Sequence, residues 1–328
     1  MRPTVALLLI AGAALAEAPS PKGAGPDVQV MKVDGTPILE YRQGGDLFKP
    51  YVAKLFSPSG VNVLRDQIVD HPHHHGLMFA VGIDGVDFWA ETKTSGRQVR
   101  RPDFGMGVLY LPRIDSRIVP YSPFGATLLD APMDWVGPAG GRPLATEDRH
   151  ITVWRLDALG PSLLTWRTNL APAEGKPSIK LAGSHYFGLG MRFVQSMDGA
   201  DDFFTPDGKS KTRLGEAAGE TVRGNERLVR GKWCAYAAEA DGKPVTVAMF
   251  DHPSNVRPAW WFIMAKPFAY LSAALNLHRE PLTVEAGKPL ALTYGVAVWD
   301  GRVKAEEIEI LYARWLELPK PTSAANKP

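Results

Sequence analysis

The sequence has little of several features that mark common protein classes. Cys234 is the only cysteine among 328 residues, so the chain cannot form an internal disulfide and its stability must come from a packed core. No run reaches eighteen uninterrupted apolar residues, which predicts a protein that does not span a membrane. Basic residues (37) nearly balance acidic ones (35), and no long basic run occurs, so nucleic acid is not expected as a partner.

Two common catalytic motifs are also absent. The sequence contains neither a Gly-x-Ser-x-Gly nucleophile elbow nor a His-Glu-x-x-His zinc motif. Cys234 lies inside an alternating strand pattern with no histidine beside it, which predicts a buried, inert thiol rather than a nucleophile.

The amino terminus has the three parts of a secretory signal peptide. Arg2 supplies a positive charge, an apolar run follows, and Ala14-Leu15-Ala16 forms a small-x-small cleavage site. The pattern predicts a signal peptide over residues 1–16, a flexible lead-in over 17–27 and a periplasmic or secreted protein. The alternative is a buried amino-terminal helix.

Short alternating segments separated by Gly and Pro predict an all-β sandwich or barrel. The clearest hairpin candidate joins Trp233–Glu239 to Val245–Phe250 through a turn at 241–243. No linker divides the chain, so we expect one domain over residues 28–319 and a loose tail over 320–328.

One amphipathic helix is predicted near the carboxyl terminus. Its apolar residues have the spacing of a single helical face, and Pro319 ends it. We expect this helix to pack on the outside of a sheet. The residues of that face are Ile308, Leu311, Tyr312, Trp315 and Leu316.

A dense histidine cluster is the strongest functional signal. Asp70 is followed by His71, His73, His74 and His75, which are four of the eight histidines. In an extended strand, His71, His73 and His75 share one face and can chelate a divalent transition metal. The same imidazoles can instead act as general acids or bases, or bond to backbone carbonyls and shape a bend.

A second Asp-His-Pro motif begins at Asp251, with His252 and then Asn255 after it. It follows a well-formed strand, where loops often hold functional groups. We expect it to meet the first motif in one cleft. Of the adjacent Trp260 and Trp261, one can pack in the core while the other offers its indole face to a sugar; core positions for both are the alternative.

Three further polar residues are candidates for substrate binding. Arg65 precedes the histidine cluster and can bind an anion or a sugar hydroxyl, or can pair with Asp66. His185 and Arg192 flank the glycines at 188 and 190, which allow close approach of a ligand or of another backbone. Structural roles are the alternative for all three.

Several of these segments together resemble an exported bacterial family labelled "methane oxygenase PmoA", or PmoA-like. The resemblance covers nearly the whole mature chain. The segments that carry it are Pro50-Tyr51, 57–61, Arg65-Asp66, 70–79, 85–89, 188–192, 251–255, 261–262, 280–282 and Asp300-Gly301.

The resemblance implies a β-supersandwich of the galactose-mutarotase type and a carbohydrate or glycoside ligand. Our leading hypothesis is an exported protein that cleaves or epimerises a glycoside or modified sugar by His/Asp acid–base chemistry. The catalytic candidates are Asp70, His71, His73, His74, Asp251 and His252. Substrate binding is assigned to Arg65, His185, Arg192, Asn255 and Trp261.

Two alternatives remain open. One is a non-catalytic carbohydrate-binding module, which needs aromatic platforms but no acid–base pair. The other is the copper-type oxidase or oxygenase that the family label suggests, with His71, His73 and His75 as metal ligands.

The signal-peptide interpretation predicts that the mature protein begins near Glu17. Protein recovered from the cell envelope of the native host should give that amino terminus by mass spectrometry. Recovery of protein that still carries Met1 would contradict the prediction.

Overall fold

A computed structural model describes most of the predicted domain. The described residues are 27–66, 68–69, 71–102, 104–111, 121, 123–156, 160–200, 202–209 and 226–319. The predicted signal peptide, the tail over 320–328 and Asp70 lie outside them. Within the described residues no helix is long and apolar enough to cross a membrane.

The described chain is mostly β, as the alternating pattern predicted. It contains a single α-helix, α1 (Ala305–Leu316), in this part of the chain. In chain order the strands are β1 (Val28–Val33), β2 (Thr36–Arg42), β3 (Tyr51–Leu55), β4 (Leu77–Ala80), β5 (Gly82–Ile83), β6 (Val86–Asp87), β7 (Arg97–Arg100), β8 (Gly105–Tyr110), β9 (Gly125–Val136), β10 (Ala145–Arg155), β11 (Ser162–Pro172), β12 (Ser178–Ala182), β13 (Gly188–Arg192), β14 (Phe203–Thr205), β15 (Gly208–Lys209), β16 (Arg227–Val229), β17 (Trp233–Ala240), β18 (Lys243–Asp251), β19 (Trp260–Met264), β20 (Tyr270–Ala274), β21 (Leu282–Glu285) and β22 (Leu290–Asp300).

The strands form three antiparallel sheets. The smaller of the two main sheets has the order β1-β2-β3-β4-β13-β20-β19-β16, and the larger has the order β15-β14-β17-β18-β22-β11-β10-β9-β7, with β8 also paired to β9. A four-stranded sheet, β21-β12-β5-β6, lies beside them. The predicted hairpin is confirmed as β17–β18.

The main sheets pack face to face around one apolar core, which defines a β-sandwich. Successive side chains of a strand point to opposite faces of the sheet, so every second residue enters this core. On β13, Leu189 and Met191 point into this core, so Gly190 and Arg192 belong to the outer face of the smaller sheet.

Each main sheet also has a covered outer face. Helix α1 packs on the larger sheet through Ile308, Leu311 and Trp315, which confirms the predicted amphipathic helix. The outer face of the smaller sheet carries a separate aromatic cluster.

Cys234 lies buried within the sandwich. Its burial raises the pKa of the thiol, as expected for an unreactive cysteine.

A charged pair lies inside the sandwich. Arg149 and Glu147 on β10 are both 0% exposed, and the guanidinium donates to both carboxylate oxygens at 3.0 and 2.9 Å. The other donors of Arg149 reach the Tyr41 hydroxyl, the Pro50 carbonyl and the Gln98 side-chain oxygen. A buried charge is tolerated only when it is paired and hydrogen-bonded in this way.

Replacing Glu147 by Gln should therefore destabilise the fold strongly, because it leaves the Arg149 charge without its counter-ion. We expect the free energy of unfolding to fall by about 3–5 kcal/mol in urea titrations. The neighbouring Asp148 is the matched control, since its side chain is 58% exposed and pairs with Arg101. Asp148→Asn should cost less than about 1 kcal/mol, and equal losses for the two variants would contradict this assignment.

Candidate functional site

The histidine cluster lies on the outer face of the smaller sheet, just before β4. The segment turns there, because the His74 amide donates to the His71 carbonyl at 2.9 Å. The prediction that His71, His73 and His75 share the face of an extended strand is therefore wrong.

His75 is held between two carboxylates. Its Nδ1 lies 3.0 Å from Asp66 Oδ1, and its Nε2 lies 2.8 Å from Glu91 Oε1. The ring also stacks on Tyr51, with centroids 4.1 Å apart. Both ring nitrogens are thus occupied, which removes His75 from the predicted set of metal ligands.

Further charged groups extend this contact into a chain. Lys49, which is fully buried, donates to Glu91 at 2.6 Å and to the Trp89 carbonyl at 2.8 Å. At the other end, the Tyr51 hydroxyl donates to Asp66 at 3.0 Å, and Arg42 lies 3.4 Å from the same carboxylate. We call Lys49, Glu91, His75, Asp66 and Tyr51 the carboxylate clamp.

The clamp favours the charged forms of His75 and Glu91. Burial by itself lowers the pKa of His75, but the hydrogen bonds to Asp66 and Glu91 outweigh burial and raise it. Burial likewise raises the pKa of Glu91, and the contacts with His75 and Lys49 reverse this and lower it. An imidazolium can donate to both carboxylates at once, and this is the form of His75 that the two contacts and the raised pKa favour.

The other three histidines form a compact group. The ring of His74 is 4.9 Å from that of His71 and 4.5 Å from that of His73, between centroids. Within the described part of the chain, no three His, Cys, Asp or Glu side chains are arranged to hold a metal ion. We call His71, His73 and His74, with the aromatic cluster beneath them, the histidine face.

The environment keeps two of these imidazoles neutral. Burial lowers the pKa of His74 to about 2, with the charges of His73, His71, Arg192 and Lys49 acting in the same direction. Burial also lowers the pKa of His73, assisted by Lys49 and His71. A neutral imidazole at physiological pH can accept a proton, and His73 is half-buried at the border with solvent.

Three buried polar atoms on the histidine face have no hydrogen-bond partner among the described residues. They are His74 Nδ1, Trp89 Nε1 and the Tyr270 hydroxyl. The three rings lie close together. The centroid of the His74 ring is 5.4 Å from that of the Tyr270 ring and 6.5 Å from that of the Trp89 ring. Gly190 lies beneath them, where a Cβ atom would overlap the Tyr270 hydroxyl.

Aromatic side chains surround these polar atoms. Trp89 stacks on Phe187 at 4.9 Å and meets Tyr186 edge-on at 5.2 Å. On the other side, Phe268 lies 5.4 Å from His74. Trp89, Phe187 and Phe268 are buried, so the result is a packed aromatic layer that encloses a few polar groups, and of these rings only Tyr186 is partly exposed.

Arg65 and Arg192 hold the histidine segment through backbone hydrogen bonds, and Arg192 also acts through its side chain. The Arg65 amide donates to the Arg192 carbonyl at 3.0 Å, and the Arg192 amide donates to the Gly76 carbonyl at 2.7 Å. These bonds join the histidine segment to β13. The buried Arg192 guanidinium lies 3.5 Å above the Phe268 ring, where its charge acts on His74.

His185 lies farther along the same face. Its ring is 5.4 Å from that of Phe262, and its Nε2 is 3.4 Å from Glu226. It contacts Tyr186 as well, so the aromatic surface connects it to Trp89.

The second Asp-His-Pro motif does not join this site. Asp251 ends β18 in the larger sheet and accepts hydrogen bonds from Asn255 Nδ2 at 2.6 Å and from the Ala259 amide at 2.8 Å. Asn255 also bonds to the Thr293 backbone. His252 packs against Trp315 of α1. These residues shape a loop beside α1, which covers the larger sheet, whereas the histidine face lies on the smaller sheet. The prediction of one shared cleft is therefore wrong.

Trp261 is also not a substrate platform. It is 0% exposed in the core between the main sheets, and its Nε1 donates to the Gly231 carbonyl at 2.7 Å. Alternation along β19 turns the neighbouring Trp260 to the other face, where it is half-buried beneath Arg230.

Sequence reasoning missed Lys49, Glu91, Trp89 and Tyr270. The one usable signal was a lysine directly before the apolar segment of β3, because a charge next to a buried strand needs a partner. Nothing local to Glu91 or Tyr270 indicates which segment lies against it.

Fold and site together define an antiparallel β-sandwich with a histidine-rich aromatic site on one outer face. The chain belongs to a family of unknown function, DUF6807, whose family model matches residues 29–313. The resemblance to PmoA-like domains stays a prediction, because the matching family carries no assigned function. No curated protein matches the chain.

Two solved structures are similar to part of the fold. GH36 α-galactosidase AgaB from Geobacillus stearothermophilus is 9% identical with a TM-score of 0.43, over 80% of this chain and 39% of that chain. A variant of GH36 α-galactosidase AgaA from the same organism, in complex with 1-deoxygalactonojirimycin, is 10% identical with a TM-score of 0.37, over 68% and 30%. The chain thus spans well under half of either relative, and likenesses this weak say nothing about its ligand.

The clamp predicts a pH-dependent stability. The pKa of His75 is raised in the folded protein. The stability that His75 contributes is therefore complete below its pKa in the unfolded chain, about 6.5, and is lost as pH rises through its pKa in the folded protein. Urea titrations from about pH 5 to about pH 9 should show this loss in the wild type.

Two substitutions at position 75 test the cause of that loss. His75→Arg keeps a cation between the carboxylates and should reduce the loss of stability above pH 6.5, while His75→Gln should remove the extra stability at low pH. Parallel pH profiles for the wild type and the Arg variant would contradict the clamp.

Proposed function

We propose that the histidine face binds a carbohydrate and that His73 transfers a proton on it. The observation that carries this proposal is a group of three buried atoms, on His74, Trp89 and Tyr270, that lie within one aromatic cluster and have no hydrogen-bond partner among the described residues. Buried polar atoms are normally hydrogen-bonded, so atoms left without such a partner suit the hydroxyls of a ligand.

A sugar matches both parts of the surface. The C–H faces of a pyranose pack on indole and phenyl rings, and its hydroxyls both donate and accept hydrogen bonds. The Trp89 indole can only donate, whereas the Tyr270 hydroxyl can do either. A ligand with several hydroxyls at different angles fits this combination better than a purely apolar molecule.

The carboxylates of the site favour proton transfer over glycoside hydrolysis by a carboxylate pair. Glycosidases of that kind need one protonated carboxyl as acid and a second as base or nucleophile. Here Asp66 and Glu91 are both bonded to His75, and the lowered pKa of Glu91 makes it a poor acid. The groups that remain for catalysis are the imidazoles.

His73 is the proposed general base. It is half-buried, its pKa is lowered, and its ring lies against that of His74. Proton abstraction beside a carbonyl carbon leaves negative charge on the carbonyl oxygen, and the charge of Arg192 favours that state electrostatically. Elimination and epimerisation of a sugar or keto-sugar both begin with this step.

A non-catalytic carbohydrate-binding role is the second candidate, because the partly exposed Tyr186 ring at the edge of the aromatic cluster can serve as a sugar platform. The copper-type oxidase is not favoured, since His75 is committed to Asp66 and Glu91. We further propose that the protein works outside the cytoplasm, which the amino-terminal pattern of Arg2, apolar run and Ala-x-Ala supports.

Carbon-bound hydrogen exchange tests the proposal directly. The mature protein is incubated in D2O with aldoses, uronates and 3-keto-glycosides, and both exchange and product formation are followed by NMR. We expect His73→Asn to lower the rate by about a hundredfold or more with its melting temperature nearly kept. Activity should fall as pH drops through the lowered pKa of His73, since protonation removes the base.

His150→Asn is the matched control, because His150 is a half-buried histidine on the outer face of the larger sheet, paired with Asp130. This variant should keep the wild-type rate. Saturable binding without exchange by the wild type would favour the binding module. Exchange that survives in His73→Asn would contradict the role of His73.

A further inference from the structure

A cavity of about 390 Å³ lies at one end of the sandwich, with a lining separate from the histidine face. One wall is the loop 252–259, which carries the chain from β18 in the larger sheet to β19 in the smaller one. The facing wall is the link 230–232, which crosses between the same sheets from β16 to β17. Tyr312 of α1 completes the lining.

Two cationic side chains come from the link 230–232, and the opposite loop contributes a histidine. Arg230 is held rigidly, because its Nη1 donates to the Pro258 carbonyl at 2.8 Å and its guanidinium lies 3.7 Å above the Trp260 ring. A guanidinium fixed in this way loses little entropy when it binds an oxyanion. Lys232 stands beside it on the same wall, and His252 contributes an imidazole from the opposite loop.

The acidic groups near the cavity are already engaged. Asp251 accepts hydrogen bonds from Asn255 Nδ2 and from the Ala259 amide, so both carboxylate oxygens bond to the loop itself. Glu309 bonds to the Trp233 indole at 2.8 Å and pairs with Lys232 at 2.7 Å. Lys232 is thus paired with Glu309, which leaves Arg230 as the cation for an anion in this cavity, with the charges of Glu280 and Asp251 acting on it.

The remaining lining limits the ligand. Pro253, Pro258 and the Tyr312 ring supply apolar surface, and the volume lies in the range of small-molecule sites. A bare inorganic ion would leave most of this volume and surface unused. A sugar ring that carries one anionic group would use both the cations and the apolar walls.

We propose that this cavity is a second ligand site, which binds a monosaccharide-sized organic anion with its carboxylate or phosphate on Arg230. The proposal does not depend on the chemistry of the histidine face. It gives the second Asp-His-Pro motif a definite role, in which Asp251 fixes the loop and His252 faces the ligand.

Binding to the mature protein should be measured by calorimetry and ligand-observed NMR with four probes. These are glucuronate, glucose 6-phosphate, glucose and inorganic phosphate. We expect at least one of the two sugar anions to bind saturably through Arg230, with much weaker Arg230-dependent binding of glucose and phosphate. Affinity should fall as salt is added, because the contact is partly exposed.

The variants separate this site from the histidine face. Arg230→Gln should weaken binding by about tenfold or more, as expected for loss of a charge-assisted hydrogen bond, and His252→Asn provides a second test if Arg230→Gln does not fold. His150→Asn, at a histidine on the outer face of the larger sheet, should bind like the wild type. The proposal is overturned if neither sugar anion binds saturably, if phosphate alone binds as tightly, or if binding is lost in His73→Asn but kept in Arg230→Gln.

Discussion

The arrangement of the site depends on the contact of His75 with Asp66 and Glu91. The histidine segment is short and turns sharply, so it cannot be held by a long run of strand pairing. A buried imidazolium between two carboxylates fixes it, and those carboxylates persist in a buried place because Lys49 and the Tyr51 hydroxyl compensate them. Burial is the main cause of the lowered pKa of the neighbouring His73; the charge of Lys49 adds to this effect, whereas Glu91 acts in the opposite direction.

The two outer faces of the sandwich differ because different elements cover them. Helix α1 covers the larger sheet with apolar side chains, and Trp315 reaches Thr165 across the contact. The smaller sheet is covered instead by the histidine segment and by aromatic side chains, so imidazoles and the charged contacts of His75 lie in that layer. Function is therefore expected on the smaller sheet, where the covering layer is not simply a second hydrophobic core.

Identical sequence motifs have different roles in this fold. Both Asp-His-Pro segments join an acid to an imidazole, yet the second one lies on the side of α1, where Asp251 holds its own loop together through Asn255 and Ala259. The difference arises from what surrounds each segment. His75, just after the first motif, lies between Glu91 and Asp66, whereas the second motif lies against Trp315 and the cavity wall.

The sequence by itself determined the elements whose signal is local. Alternating side chains specified the β17–β18 hairpin, and a single apolar face specified α1 around Leu311 and Trp315, because each pattern is set by neighbours a few residues apart. It also located the histidines that form the site. Only the tertiary structure decided which face they occupy, that His75 meets Glu91 and Lys49, and that Trp261 lies in the core. Those contacts depend on sheet order and strand register, which bring together residues distant in the chain and leave no local pattern to read.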